Sequence, residues 1–256
     1  MKILEMREYY VVKANDLIQK SRYELSLQEQ RIILYLISKI KPDDKEFEQH
    51  EFKIQDFCDV CGIDNKNGKN YKNIKDTIKS LADKSWWIPS KDEKNKEGES
   101  LVRWIDSAKV FRDSGTIRIK LHDEMKPYLL QLRKRYTQYH LYYTLAMQSK
   151  YSVRLYEILK SYAWQNDKII TIDELREMLS AVNYGLYKDF RKNVIEIALK
   201  EINELTDLKV SYMPIKEGRK YIKIEFVIEL KEDMDERFET FNNIEKIISK
   251  NIKAHR

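Results

Sequence analysis

Two sets of cationic side chains and one basic turn are the residues whose types and spacing could do chemistry. Lys69, Lys72, Lys75 and Lys79 recur three or four residues apart, the spacing that gathers side chains on one face of a helix. Ile74, Ile78 and Leu81 fall on the other side, so 70–84 reads as an amphipathic helix with a lysine face suited to phosphate. Lys188, Arg191, Lys192 and Asn193 stand near the start of a second helix, predicted over 187–206 and packed through Phe190, Val194, Ile197, Ala198 and Ile202. Arginine bonds bidentately to guanine O6 and N7, and asparagine to adenine N6 and N7, so this set holds base readers as well as phosphate clamps. Lys216, Arg219 and Lys220 belong to 214–220, which reads as the basic tip of a hairpin. The competing reading makes the lysines a solvated face and ties Arg191 and its neighbours into surface ion pairs with Asp189 and Glu196.

Catalytic constellations fit less well. The stretch from Gly62 to Lys69 approximates a phosphate loop, but five residues separate its glycines instead of four, and Asn70 stands where a magnesium-binding Ser or Thr belongs. Cys58 and Cys61 form a lone C-x-x-C without a second pair or a suitably spaced histidine, so both read as small buried side chains. His50, His122, His140 and His255 are scattered, and none forms the His-x-His pair with which a nicking enzyme could hold a metal. None of the 17 tyrosines has an evident base beside it. The sequence therefore predicts no enzyme, no metal and no cofactor.

Composition agrees with a folded, charged, DNA-competent chain without proving one. Of 256 residues 42% are hydrophobic and 35% charged, enough for sizeable cores under a heavily charged surface. Lysine and arginine exceed aspartate and glutamate by 48 to 42, a modest excess, so placement of the charge matters more than its sum. The longest apolar run, 32–37, is far too short to cross a bilayer. With no secretory leader pattern and only two cysteines, the expected compartment is the cytoplasm.

The elements that position these residues are set by periodicity. Ser26 and Glu29 have capping-box spacing and open a core helix over 26–40. A second core helix, over 149–164, carries Tyr151, Leu155, Ile158, Leu159 and Tyr162 as an apolar stripe. Strands are predicted at 117–121, with 101–111 as partner, and at 208–212 and 222–228. The all-polar run 91–100 reads as a mobile loop. Each half repeats one order: helix, short strand, short helix, turn, longer helix, hairpin. Ile54 precedes the helix at Tyr71 as Ile172 precedes the one at Tyr187. This order is that of a winged helix-turn-helix, whose second helix can enter a DNA groove. The predicted class is α+β, two tandem winged-helix domains related by internal duplication. The first, 1–140, is expected to hold DNA backbone and dimerise; the second, 141–232, to read sequence; 233–256 is a tail or terminal helix.

Several segments resemble the plasmid replication initiators that bind iterons and start theta-type replication. They are Val12-Lys13-Ala14-Asn15-Asp16-Leu17-Ile18 with Leu25-Ser26-Leu27-Gln28-Glu29-Gln30-Arg31, then Ser152-Val153-Arg154-Leu155-Tyr156-Glu157-Ile158-Leu159, and then Tyr187 through Glu201-Ile202-Asn203 to Thr206-Asp207. Lys216-Glu217-Gly218-Arg219-Lys220 is similar to the family's basic wing. The resemblance covers about residues 9–230, loosely over 65–100. Ile197-Ala198 departs from it, because many members carry a proline before the alanine, which bears on helix straightness more than on DNA contact. The resemblance implies a monomer on directly repeated origin sequences, in equilibrium with a homodimer on an inverted-repeat operator that represses its own gene. It also implies origin melting and recruitment of the host initiator and helicase, with no membrane partner. A dimeric repressor without origin activity and a rolling-circle nicking initiator are the alternatives.

Overall fold

The computed structural model describes residues 9–41, 43–61, 69–91 and 96–253. Strand β1 (Tyr10–Ala14) leads into helix α1 (Asn15–Lys20) and then α2 (Leu27–Ile37). The capping box forms: the Glu29 amide donates to Ser26 Oγ at 3.3 Å, and the Ser26 amide donates to Glu29 Oε2 at 2.6 Å. Helix α2 ends at Ile37, earlier than predicted, where the Ser38 hydroxyl donates to the Tyr35 carbonyl.

The first winged half contains β2 (His50–Lys53), α3 (Ile54–Cys61), α4 (Lys69–Ala82), β3 (Ser85–Lys91), β4 (Glu97–Arg103), β5 (Ile105–Phe111) and β6 (Thr116–Leu121). Short α5 (Lys126–Leu129), β7 (Tyr136–His140) and α6 (Tyr142–Leu145) lead to core helix α7 (Lys150–Tyr162). The second winged half contains β8 (Asp167–Thr171), α8 (Ile172–Met178), a long helix α9, β9 (Leu208–Glu217) and β10 (Lys220–Leu230), and the tail is helical as α10 (Met234–Lys253). The two three-stranded sheets have corresponding orders, β2-β6-β5 and β8-β10-β9. The repeated order read from the sequence is thus a repeated topology, and the fold is two winged helices of mixed α and β structure.

Three expectations are corrected. The predicted strand 101–111 is two strands, because Trp104 between them turns inward, fully buried against Trp86 at 5.0 Å and edge-on to Tyr23 at 5.3 Å. Lys91 and residues 97–100 of the predicted loop 91–100 instead belong to the β3–β4 hairpin, with Lys91 opposite Glu97; residues 92–95 lie outside the described residues. Only the base of this hairpin is anchored, through buried Trp86, Ile88 and Val102, so its charged end pairs as strand without an apolar signature. The third correction lies in α9. Residues Tyr187–Phe190 and Glu196–Leu205 are α-helical, but Arg191–Ile195 form a π-helical turn in which the Glu196 amide donates to the Arg191 carbonyl. The extra residue rotates the remainder of the helix by about 100°. Val194 and Ile195 are therefore both buried, while Ile197, predicted to be core, is 43% exposed.

Helix α7 is buried nearly all round instead of along one stripe, and its polar residues join the halves. Arg154 Nη2 donates to the carbonyls of Ile18 (2.6 Å) and Ser21 (3.1 Å), while Nε donates to the carbonyl of Met178, at the end of α8 (3.2 Å). Glu157 takes Lys13 of β1 at 2.6 Å and the hydroxyl of Tyr139 of β7, with the Arg154 guanidinium at 3.8 Å. All four side chains are buried. Replacing Glu157 by leucine leaves Lys13 and Arg154 charged and uncompensated, and the expected loss is about 3–5 kcal/mol of unfolding free energy by denaturant titration. A loss below about 1 kcal/mol would mean that the cluster does not hold the halves.

Candidate nucleic-acid interface

Helix α4 separates its faces as the spacing predicts. Ile74, Ile78 and Leu81 are buried, and Lys72, Lys75 and Lys79 are exposed. Lys69 starts the helix, but its side chain lies outside the described residues. The end of α4 is fixed by the carboxylate that caps α2: Ser80 Oγ donates to Glu29 Oε1 at 2.7 Å, and Lys84 Nζ lies 2.6 Å from Oε2. Burial alone would raise the Glu29 pKa, but Lys84, the Ser26 amide and Ser80 outweigh it and hold the carboxyl below its usual range. One buried anion thus aims the lysine face.

In the second half, Thr171 caps α8 by accepting from the Glu174 amide at 3.2 Å, and α9 begins after the turn at the end of α8. Leu186, before α9, offers no side-chain cap. A helix start without a cap carries partial positive charge and free amides, a setting that favours phosphate. Lys188, Arg191, Lys192 and Asn193 are all exposed along the first turns. The wing is narrower than the predicted tip: Lys216 lies in β9, Lys220 opens β10, and the turn is Gly218 and Arg219. Gly218 has φ +60°, left-handed backbone that glycine adopts without strain.

Sequence reasoning missed the side chains that join wing to helix. The Lys216 ammonium lies 4.6 Å from the centroid of its cross-strand partner Tyr221, whose ring lies 4.5 Å from that of Tyr187, the first residue of α9. The hairpin register, which makes 216 and 221 partners, is the signal that would have found this stack. Farther along, Asn203 of α9 exchanges two hydrogen bonds with the backbone of Val210 in β9 (2.7 and 2.9 Å), and Glu201 accepts from the amides of Gln148 and Ser149 that lead into α7. Asp207 receives Tyr156 and Lys160. The stretch around Glu201, Asn203 and Asp207 therefore fastens the basic helix to its domain.

Arg191 is ion-paired: its Nε lies 3.3 Å from Glu196 Oε1, each side chain 46% exposed. The competing sequence reading is thus realised for this residue with Glu196, although an exposed pair of this kind contributes only about 0–1 kcal/mol. Among the described residues no carboxylate pairs with Lys72, Lys75, Lys79, Lys188, Lys192, Lys216, Arg219 or Lys220. Each basic set stays on its own winged half. Among the described residues no group of His, Cys, Asp and Glu is arranged to hold a metal, and no helix is long and apolar enough to cross a membrane. Cys58 and Cys61 are buried, as expected, and residues 62–68 of the loop between α3 and α4 lie outside the described residues.

Residues 10–160 match the family described as Initiator Replication protein, WH1, and residues 171–228 match Initiator Rep protein, WH2. The chain belongs to the plasmid replication initiator family. A replication initiation protein of Escherichia coli is 27% identical over 250 residues, covering 93% of this chain and 75% of that protein. The PI protein of Escherichia coli is 28% identical over 153 residues, covering 52% of this chain and 49% of that protein. Among solved structures, the Pi initiator protein in complex with iteron DNA shares the fold at a TM-score of 0.68 and 22% identity, over 89% of this chain and 99% of that one.

The π-helical turn gives this family member a helix register that can be checked without DNA. Ile195→Ala is expected to cost about 2–5 kcal/mol, whereas Ile197→Ala should stay within about 0.5 kcal/mol, both by urea denaturation. The reverse ranking would restore an uninterrupted α-helix.

Proposed function

We propose that this protein binds repeated origin DNA as a monomer and initiates plasmid replication there, helping to open the duplex and recruiting the host initiator and helicase. The observation that carries the reading is the presence in one chain of two winged halves, each presenting exposed, unpaired cations on its helix, in a fold shared with the Pi initiator solved on iteron DNA. In this reading residues 1–140 clamp the backbone through Lys69, Lys72, Lys75 and Lys79. Residues 141–232 read sequence, with Arg191 on a guanine and Asn193 on an adenine, while Lys188, Lys192, Lys216, Arg219 and Lys220 hold phosphates.

We also propose that a dimer represses the chain's own gene. Trp87 and Leu101, opposite each other on the outer face of the β3–β4 hairpin, are 57% and 52% exposed, and support an apolar self-contact there. Sedimentation at tens of micromolar tests this, with monomer alone as the contrary result. Magnesium and supercoiled origin DNA test for nicking; in this reading the DNA stays covalently closed.

With roughly six to ten phosphate contacts, affinity is expected to fall on the order of 10³ to 10⁵ between 50 and 200 mM salt. Arg219→Ala should weaken all sequences alike and reduce the salt slope by about one, whereas Arg191→Ala should cost about 1–3 kcal/mol on the specific repeat and relax preference at one base pair. Anisotropy titrations against singly substituted repeats measure both effects. A flat salt response removes the two-domain clamp, and unchanged preference in Arg191→Ala moves base reading to another surface.

A further inference from the structure

We propose that the π-helical turn at Arg191–Ile195 serves to set Glu196 against Arg191, making Glu196 a positioning residue that fixes the guanidinium for base reading. This role rests on Arg191 being a base reader, and it adds a second residue, and a use for the turn, to that reading.

In a regular α-helix, residues five apart lie about 140° from each other around the axis and do not face. Here the Glu196 amide donates to the Arg191 carbonyl, five residues back, so the two residues stand one turn apart on the same side. Their side chains meet at 3.3 Å, through Arg191 Nε. The Nη groups, which carry four of the five guanidinium N–H donors, have no hydrogen-bond partner among the described residues. A carboxylate holding Nε restrains the plane of the guanidinium and leaves its far edge for a bidentate acceptor, as guanine O6 and N7 provide. An arginine held in this way loses less rotamer freedom on binding.

Tyr212, on the wing strand β9, belongs to the same group. Its hydroxyl pKa is raised by burial and then by Glu196, with Arg191 acting in the opposite sense. The carboxylate therefore acts on a side chain of the strand that carries the wing as well as on Arg191. The pair is half exposed and worth little to folding, while the turn itself is stabilised by the burial of Val194 and Ile195, so what the pair supplies is orientation of the guanidinium.

The test is Glu196→Gln in the full chain, titrated against the repeat, against repeats singly substituted at each base pair, and against unrelated duplex DNA. Glu196→Asp, which keeps the charge but withdraws the carboxylate by one methylene, is the second variant, and thermal melts accompany both. The expected result is a loss of discrimination of about threefold or more at the base pair that Arg191→Ala also relaxes. Binding to unrelated DNA should not weaken, and Glu196→Gln should have no further effect in an Arg191→Ala background. Unchanged discrimination, an equal loss without Arg191, or a uniform gain in affinity showing Glu196 to be only a competitor for Arg191, each overturns the proposal. If Arg191→Ala itself leaves base preference intact, the reading of Arg191 has failed and this inference fails with it. If Arg191→Ala relaxes preference and Glu196→Gln does not, only the inference has failed.

Discussion

One buried carboxylate, that of Glu157, sits where strand β1, strand β7 and helix α7 meet, with the Lys13 ammonium, the Tyr139 hydroxyl and the Arg154 guanidinium around it. Arg154 in turn donates from Nε and Nη2 to the backbone carbonyls of Met178, Ile18 and Ser21. A guanidinium that satisfies carbonyls from both winged halves fixes direction as well as distance, because its donors form a rigid planar fork. This cluster is where the fold sets the orientation of the two basic helices relative to each other.

The resemblance segments take on a physical meaning in this light. Arg154, Glu157, Glu201, Asn203 and Asp207 all belong to them, and all make buried or partly buried hydrogen bonds that fasten one element to another. These five residues of the resembling segments are thus scaffold. Lys188, Arg191, Lys192 and Arg219, in the same segments, stand instead on exposed faces, where neighbouring side chains constrain them less.

The features legible in the sequence were those that depend on near neighbours. Ser26 and Glu29 announced their capping box, Ile74, Ile78 and Leu81 announced the buried side of α4, and the alternation through 222–228 announced a strand of the wing. The repeated order of elements came from these, and with it the two winged helices. The hidden features depend on residues far apart. Lys91 and Glu97 pair in a hairpin held at its other end by Trp86 against Trp104. The π-helical turn arises because Val194 and Ile195 both find places in the core, a matter of packing that a 3.6-residue period does not contain. The Tyr187, Tyr221 and Lys216 stack needs the wing's register, and the Arg191–Glu196 pair needs the π-helical turn. The candidate site was therefore legible as a set of exposed cations and illegible as an arrangement.

The pairing of β1 with β7 also governs the order in which the molecule assembles. Tyr10 lies opposite His140, so the strand nearest the start of the fold waits for a partner made well over one hundred residues later. The short strand and hairpin of each winged half lie much closer together in the chain, and contacts local in sequence form sooner than those that close a long loop. Lys13 is carried on β1 and Tyr139 on β7, so the ligands of Glu157 come together only when that loop closes. On a growing chain the first half can acquire its sheet and its basic helix before that loop closes, whereas Lys13, Tyr139 and Glu157 are all made before β8 begins, so the joint can stand ready before the second half has its own sheet.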